Sequence, residues 1–269
     1  MNTVPYQSGF SLVAGDLPHL VCRGIGVPHG FSTRFGGVSH GQGLETLNLS
    51  SSGKAEEIGE NRRRFAEALG CTPDRMFSAK QIHSAAVETV TAADLGREFA
   101  CDSFVTAERG LLLTVKTADC VPILLCDEGA GVIAAVHAGW RGTVAGIACE
   151  AVKAMTALGA SPSRIVAAIG PCIHRECYEV DAPFLEAVRE QNEALTAFVT
   201  PLPHKEGYYL ADLVAMNRYL LLSAGLNEGN LYACGFCTAC ASEVFFSHRA
   251  SGGKRGLMMA GICLGKPMG

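Results

Sequence analysis

Three short segments of this chain carry side chains whose chemistry could converge: Lys80-Gln81-Ile82-His83, Thr117-Ala118-Asp119-Cys120-Val121-Pro122 and Ala135-Val136-His137-Ala138-Gly139-Trp140-Arg141-Gly142-Thr143. In each, a metal-ligating residue type stands at the end of an apolar run or just ahead of a helical one. Rigid backbone meets open surface at such places, so distant parts of a chain can meet there. Two neutral imidazoles and a thiolate suit zinc, and three protein ligands leave a fourth position for water or substrate. Copper is the second candidate, because copper(II) outcompetes zinc for many nitrogen and sulfur ligand sets. Spacing alone does not establish the centre. His83 and Cys120 are thirty-seven residues apart and Cys120 and His137 seventeen, neither being a compact finger pattern. An isolated histidine of this kind is more often a satisfied core or surface residue.

The neighbours of these three suggest further roles. Arg141 and Gly142 precede a helix expected to begin near Thr143, where free amides, the positive helix end and a guanidinium fork suit phosphate or another anion. Arg34 lies in a glycine-flanked loop, as a phosphate-binding or substrate-clamping arginine would. Asp119, next to Cys120, has the position to orient a ligand histidine or accept a proton, and equally to serve as a structural hydrogen-bonding group. Gln81 has the chemistry to read a base edge or to steady the metal site. Cys234, Cys237 and Cys240 form two consecutive C-x-x-C steps, which in isolation suggest zinc or three corners of an iron–sulfur cluster. No following proline-flanked cysteine completes a ferredoxin pattern, so buried or incidental thiols are the favoured reading, with Cys172 and Cys177 able to approach in space.

The elements that must position these residues are legible from periodicity. Ala55–Leu69 carries Ile58, Phe65 and Leu69 at helical spacing, with Gly70 as its stop. Before it, glycines punctuate short strands and turns. Leu111–Val115, Val121–Cys126, Val132–Val136 and Ile165–Ile169 are short apolar runs of the kind that form buried strands. Thr143–Leu158, Pro183–Val199 and Leu210–Ala224 are expected to be helices. Strand and helix signals alternate without a regular βαβ rhythm, which predicts an α+β fold in a single domain over 1–269.

Composition limits the function classes. Of 269 residues, 48% are apolar and 18% charged, enough apolar matter to fold without disulfides. A net charge of −4 is not the basic footprint of a nucleic-acid binder. No run reaches the roughly 18 apolar residues that a membrane span needs, and Asp16, Pro18 and His19 interrupt any signal-like stretch, so a cytoplasmic protein is expected. Its twelve cysteines then remain reduced and available for metal or catalysis. The sequence leaves the oligomeric state open.

The central segments are similar to the signature of the YfiH family, the multicopper polyphenol oxidoreductase laccase family. The likeness extends through Ser32-Thr33-Arg34-Phe35-Gly36-Gly37-Val38-Ser39, Asn48-Leu49, Asp102 to Thr106, Gly170-Pro171-Cys172-Ile173 and Tyr178-Glu179-Val180. It continues through Cys237-Thr238 and Phe245-Phe246-Ser247-His248-Arg249. Two departures are Ser84, where the family often has glycine after its first ligand histidine, and Ala250–Gly256, where a charged stretch ending Thr-Gly-Arg is usual. The resemblance implies that His83, Cys120 and His137 hold the metal; around them Cys120, Asp119 and Arg141 are the catalytic candidates, and Arg34, Gln81 and Asn48 the candidate substrate contacts. It implies a mixed β-sandwich flanked by helices.

The resemblance also implies an activity: phosphorolysis of purine nucleosides (inosine, guanosine, adenosine, methylthioadenosine), with adenosine deamination as a second reaction. Its partners would then be a nucleoside and phosphate, with no nucleic acid or membrane. Copper-dependent phenol oxidation is the first rival, weakened by a count of only eight histidines with no His-x-His pair. Amide hydrolysis on a peptidoglycan precursor and a non-catalytic metal-binding role are the others.

Overall fold

The computed structural model describes residues 9–265. In chain order its strands and helices are β1 (Phe10–Val13), β2 (His19–Cys22), β3 (His29–Ser32), α1 (Ala55–Ala68), β4 (Met76–Phe77), β5 (Val87–Thr89), β6 (Ser103–Thr106) and β7 (Leu112–Thr117). There follow β8 (Val121–Asp127), β9 (Val132–Ala138), α2 (Trp140–Val144), α3 (Ile147–Ala157), β10 (Val166–Ile169), β11 (Glu179–Asp181) and α4 (Ala182–Gln191). The last are β12 (Val199–Pro201), β13 (Tyr208–Ala211), α5 (Leu213–Ser223), β14 (Leu231–Ala233) and β15 (Met258–Cys263).

Two six-stranded mixed sheets form the body, one in the order β1-β2-β3-β15-β7-β4 and the other β14-β10-β8-β9-β6-β5. A small sheet, β11-β13-β12, stands apart. Side chains of a strand alternate between faces, and the two large sheets use that alternation to build three cores. Leu124 and Cys126 of β8 and Ile133 and Ala135 of β9 meet Leu113, Val115, Ala260 and Ile262 of the facing sheet. The intervening residues Val121, Ile123, Leu125, Ala134 and Val136 face the other way, onto Ile147, Ala151, Met155 and Leu221 from α3 and α5. On the outer face of the first sheet, Leu112 and Met259 take Phe65 and Ala66 of α1 and Leu69 just after it. The order of layers is therefore helix, sheet, sheet, helix, and the expected α+β sandwich flanked by helices is the fold observed.

Most of the expected elements lie where the apolar periodicity puts them, with three corrections, the first being that the helix expected over Leu210–Ala224 starts only at Leu213, after Leu210 and Ala211 have closed β13. The helix expected over Thr143–Leu158 begins earlier, at Trp140, and is broken between α2 and α3. Gly146 adopts φ +81°, a left-handed conformation that side chains other than glycine enter at a cost, and its carbonyl accepts the first amide bond of α3 from Glu150. The helix expected over Pro183–Val199 stops at Gln191 and gives way to a 3-10 turn and β12. Both α4 and α5 start on an aspartate cap: Asp181 accepts the amide of Phe184, and Asp212 that of Ala215. No helix among the described residues is long and apolar enough to cross a membrane.

Phe104 is wholly buried between the sheets, and its ring meets those of Phe77 and Phe99. Truncation there leaves a cavity that close-packed sheets cannot collapse. Phe104→Ala should cost about 3–5 kcal/mol in urea unfolding, whereas a cost under about 1 kcal/mol would show that this layer is not rigidly packed.

Candidate metal centre and its cavity

The three central ligand candidates reach one end of the second sheet by separate routes. Cys120 closes the tight turn between β7 and β8, and His137 is the penultimate residue of β9, opposite Pro122. His83 comes from the loop between β4 and β5. Their donor atoms lie within 4.8 Å of one another, close enough to share one ion. The imidazoles of His83 and His137 meet edge to face, with centroids 4.9 Å apart. Gly139 is required beside them: a Cβ there would stand 2.7 Å from His83 Nδ1 and 3.4 Å from Cys120 Sγ.

Asp102 organises this end of the sheet. It precedes β6 and is 1% exposed, yet its carboxylate is fully engaged. Oδ1 accepts from His137 Nδ1 at 2.8 Å and from the His83 amide at 3.0 Å. Oδ2 accepts from the Ser84 amide at 2.7 Å and the Ser84 hydroxyl at 2.8 Å. The Asp102 carbonyl also accepts the His137 amide, at 2.7 Å. One residue thus fixes the loop bearing the first histidine and the ring of the second. With Nδ1 of His137 tied to Asp102, Nε2 is the nitrogen left to face Cys120. Ser84, one of the two departures from the family pattern, is absorbed here as an extra donor to the same carboxylate.

Burial would raise the Asp102 pKa, but the hydrogen bonds from His137 and Ser84 outweigh it and hold the group down at about 2. His137 shows the reverse balance. Burial favours its neutral form, while Cys120 and Asp102 raise its pKa to about 9. His83 is shifted downward by burial and by the neighbouring His137, which favours its neutral form.

Two residues hold a left-handed backbone here without being glycine, His83 at φ 56° and Asp119 at φ 87°. Strain of this kind persists where surroundings over-determine the conformation. At Asp119 they do: its carbonyl accepts from Ile173, and its carboxylate accepts from the Thr238 hydroxyl at 2.6 Å and the Arg249 amide at 2.7 Å. Of the readings the sequence allowed for Asp119, these bonds match the structural hydrogen-bonding one. Asp102 is the carboxylate that touches His137, and Asp119 clamps the 238–249 loop against the turn that carries Cys120.

A cavity of about 560 Å³ opens over His83 and Cys120. Trp140 and Tyr178 supply aromatic walls, and Arg141, Arg249 and Arg255 supply positive charge. His248 completes the rim. Because α2 starts at Trp140, Arg141 lies in its first turn, and its guanidinium stacks 4.2 Å from the Trp140 ring centre. No carboxylate pairs with Arg141 among the described residues. Arg249 is committed elsewhere, donating to the carbonyls of Cys177 and Glu179. Arg255 has a buried Nε with no protein partner.

Three expected substrate contacts fall outside this cavity. Arg34 borders an adjacent pocket of about 150 Å³ that shares Arg255 with the larger one. Its guanidinium donates to the carbonyls of Ser242 and Glu45 and covers the Phe246 ring, so it braces a loop. Gln81 spends both ends of its amide on the backbone of Lys116, at 2.8 Å each, and pins the His83 loop to β7. Asn48 is completely buried, donating to Ser52 and accepting from Ser50 and Leu257. It fastens the segment that brings Arg255 to the cavity.

Residues 28–265 match the family model described as multi-copper polyphenol oxidoreductase laccase. A purine nucleoside phosphorylase from Deinococcus radiodurans is 42% identical over 94% of this chain and 95% of its own length. An adenosine deaminase, RL5, from an unknown prokaryotic organism is 36% identical over 86% of this chain and 92% of its own. Among solved structures, the hypothetical protein YfiH of Bacillus licheniformis superimposes with a TM-score of 0.86 at 32% identity, covering 94% of this chain and 98% of that one.

The Asp102 contact has a direct consequence in metal-free protein. Asp102→Asn removes the negative partner of His137, so the His137 pKa should fall from about 9 toward the ordinary 6.5. Titration of the histidine ring signals by NMR checks this. A His137 pKa unmoved by the substitution would mean that the carboxylate does not hold the ring.

Proposed function

Because the chain belongs to the multi-copper polyphenol oxidoreductase laccase family, we propose that it is a zinc-dependent purine nucleoside phosphorylase with adenosine deaminase activity. One observation carries the proposal: a His₂Cys donor set opens into a cavity that combines aromatic walls with an unpaired arginine. The donor set fits zinc in type and number, with two nitrogens, one sulfur and an open side facing the cavity. Bound there, zinc would supply a fixed positive charge and Lewis acidity.

The residues around it divide the remaining tasks. Trp140 and Tyr178 offer flat apolar surface for a purine and exclude water from it. Arg141, in the first turn of a helix, and Arg255, with a donor to spare, meet phosphate. His248, on the rim, is a group suited to move a proton to or from the base. Asp119 keeps Arg249 and the rim loop in place. Asp102 holds both histidines, so the donors converge before any substrate arrives. Phenol oxidation by several coppers is less well supported, since no second histidine-containing donor group occurs among the described residues.

The activity is tested by incubating zinc-loaded, copper-free protein with inosine and adenosine, with and without phosphate, and following products by mass spectrometry. Expected are phosphate-dependent hypoxanthine and ribose 1-phosphate from inosine, and phosphate-independent inosine from adenosine, both lost in Cys120→Ala. Arg141→Ala should raise KM for phosphate on the order of tenfold, the loss of one charge-assisted contact, while leaving deamination largely intact. If zinc stays bound and neither product forms, the proposal fails, and amide hydrolysis or a non-catalytic role takes its place.

Metal uptake should also be coupled to protons. His137 is protonated below about pH 9 in the metal-free state, and a ligand imidazole must be neutral. Zinc affinity should therefore rise with pH up to about 9. Calorimetry in buffers of different ionisation enthalpy would detect the released proton; identical apparent enthalpies across buffers would refute the coupling.

A further inference from the structure

Three cysteines meet outside the catalytic cavity, and the proposed reaction uses none of them. The sulfurs of Cys177, Cys237 and Cys240 lie within 4.8 Å of one another, with Cys177 and Cys240 at 3.2 Å. Cys234, the first cysteine of the sequence triplet, is not a member and is buried in the core between the sheets. Of the two distant cysteines that the sequence allowed to approach, Cys177 joins the cluster, arriving from sixty residues away in the chain. We propose that Cys177, Cys237 and Cys240 form a second metal site, a three-thiolate centre for zinc whose fourth position is filled from solvent.

Geometry and chemistry agree on this. Zinc–sulfur bonds of about 2.3 Å in a tetrahedron put sulfurs roughly 3.8 Å apart, inside the spread observed. Cys237-Thr238-Ala239-Cys240 is a C-x-x-C turn whose first sulfur is met by amide donors: His174 at 3.3 Å, and the backbones of Ala239 and Cys240. Amides directed at a sulfur stabilise the thiolate, the form that binds metal. Cys237 is buried, Cys177 half-buried and Cys240 exposed, so the cluster is anchored on one side and open to an ion on the other. A purely sulfur donor set selects zinc or copper(I) over magnesium or calcium.

The site also has a structural consequence for the cavity. Thr238, between two of the ligands, donates to Asp119, and Tyr178, next to the third, lines the cavity. Arg249 donates to the Cys177 carbonyl at 3.0 Å. An ion here would join the Tyr178 wall to the turn that positions Cys120. The inference does not depend on the phosphorylase reading.

The test uses full-length protein, reduced and stripped of metal, then loaded with zinc and desalted before elemental analysis. Wild type should hold two zinc ions per chain, Cys240→Ser, Cys177→Ser and Cys120→Ser one each, and Cys120→Ser with Cys240→Ser none. In Cys120→Ser, where the three-cysteine cluster is intact, cobalt(II) should give a thiolate-to-cobalt charge-transfer band in the near ultraviolet. A single zinc in wild type, kept by Cys240→Ser and lost in Cys120→Ser, overturns the proposal. So does a Cys177–Cys240 disulfide that re-forms in preference to zinc uptake, seen as a mass two hydrogens lower.

Discussion

Everything at the working end of this protein depends on one buried carboxylate. Asp102 is the point at which the loop of His83, the strand of His137 and the hydroxyl of Ser84 are joined. An ionised carboxylate is expensive to bury alone. It is tolerated because every lone pair is met, and the same bonds that satisfy it set the positions of two imidazoles. Holding a site together and satisfying a buried charge are here one set of contacts, so neither can be removed without losing the other.

The surrounding sandwich gives that carboxylate a rigid mount. Asp102 continues directly into β6, which pairs with β9, and β9 carries His137 two residues before Gly139. Strand pairing fixes register to a single residue, since a slip of one would turn His137 to the opposite face. The two non-glycine left-handed residues, His83 and Asp119, lie just where the chain leaves these mounts. Their strain is offset by the hydrogen bonds of Asp102 and Thr238.

Much of this was readable in advance, and the omissions have physical causes. Continuous apolar runs mark β7, β8 and β9, which bury both faces, and a period of three to four marks α1 and α5, which bury one. The break at Gly146 was missed since its flanks are apolar on both sides and only a positive φ separates the helices. The ligand trio came from the family resemblance and not from spacing, because its members meet through sheet pairing. Asp102 was quoted within a motif yet given no role. A signal did exist: an acid immediately ahead of four buried residues needs a partner. Gln81, Asn48 and Arg34 were read as substrate contacts because polar side chains in a signature invite it. Their side chains bond instead to backbone, and that of Arg34 also faces the Glu45 carboxylate, which no single sequence reveals.

The metal donors and the arginine rim come from different parts of the architecture. His83 and His137 are tied to the second sheet through Asp102 and Cys120 stands just ahead of β8, whereas His248, Arg249 and Arg255 lie on the loop entering β15 of the first. That loop contains Gly252 and Gly253, both at positive φ, with no neighbour within contact of a Cβ at the first. Beyond Arg249, whose amide is tied to Asp119, such a segment can change length and residue without touching the bonds that hold His83 and His137. Descendants of this chain could therefore reshape one wall of the cavity by rewriting one peripheral stretch, inheriting the carboxylate-held histidines intact.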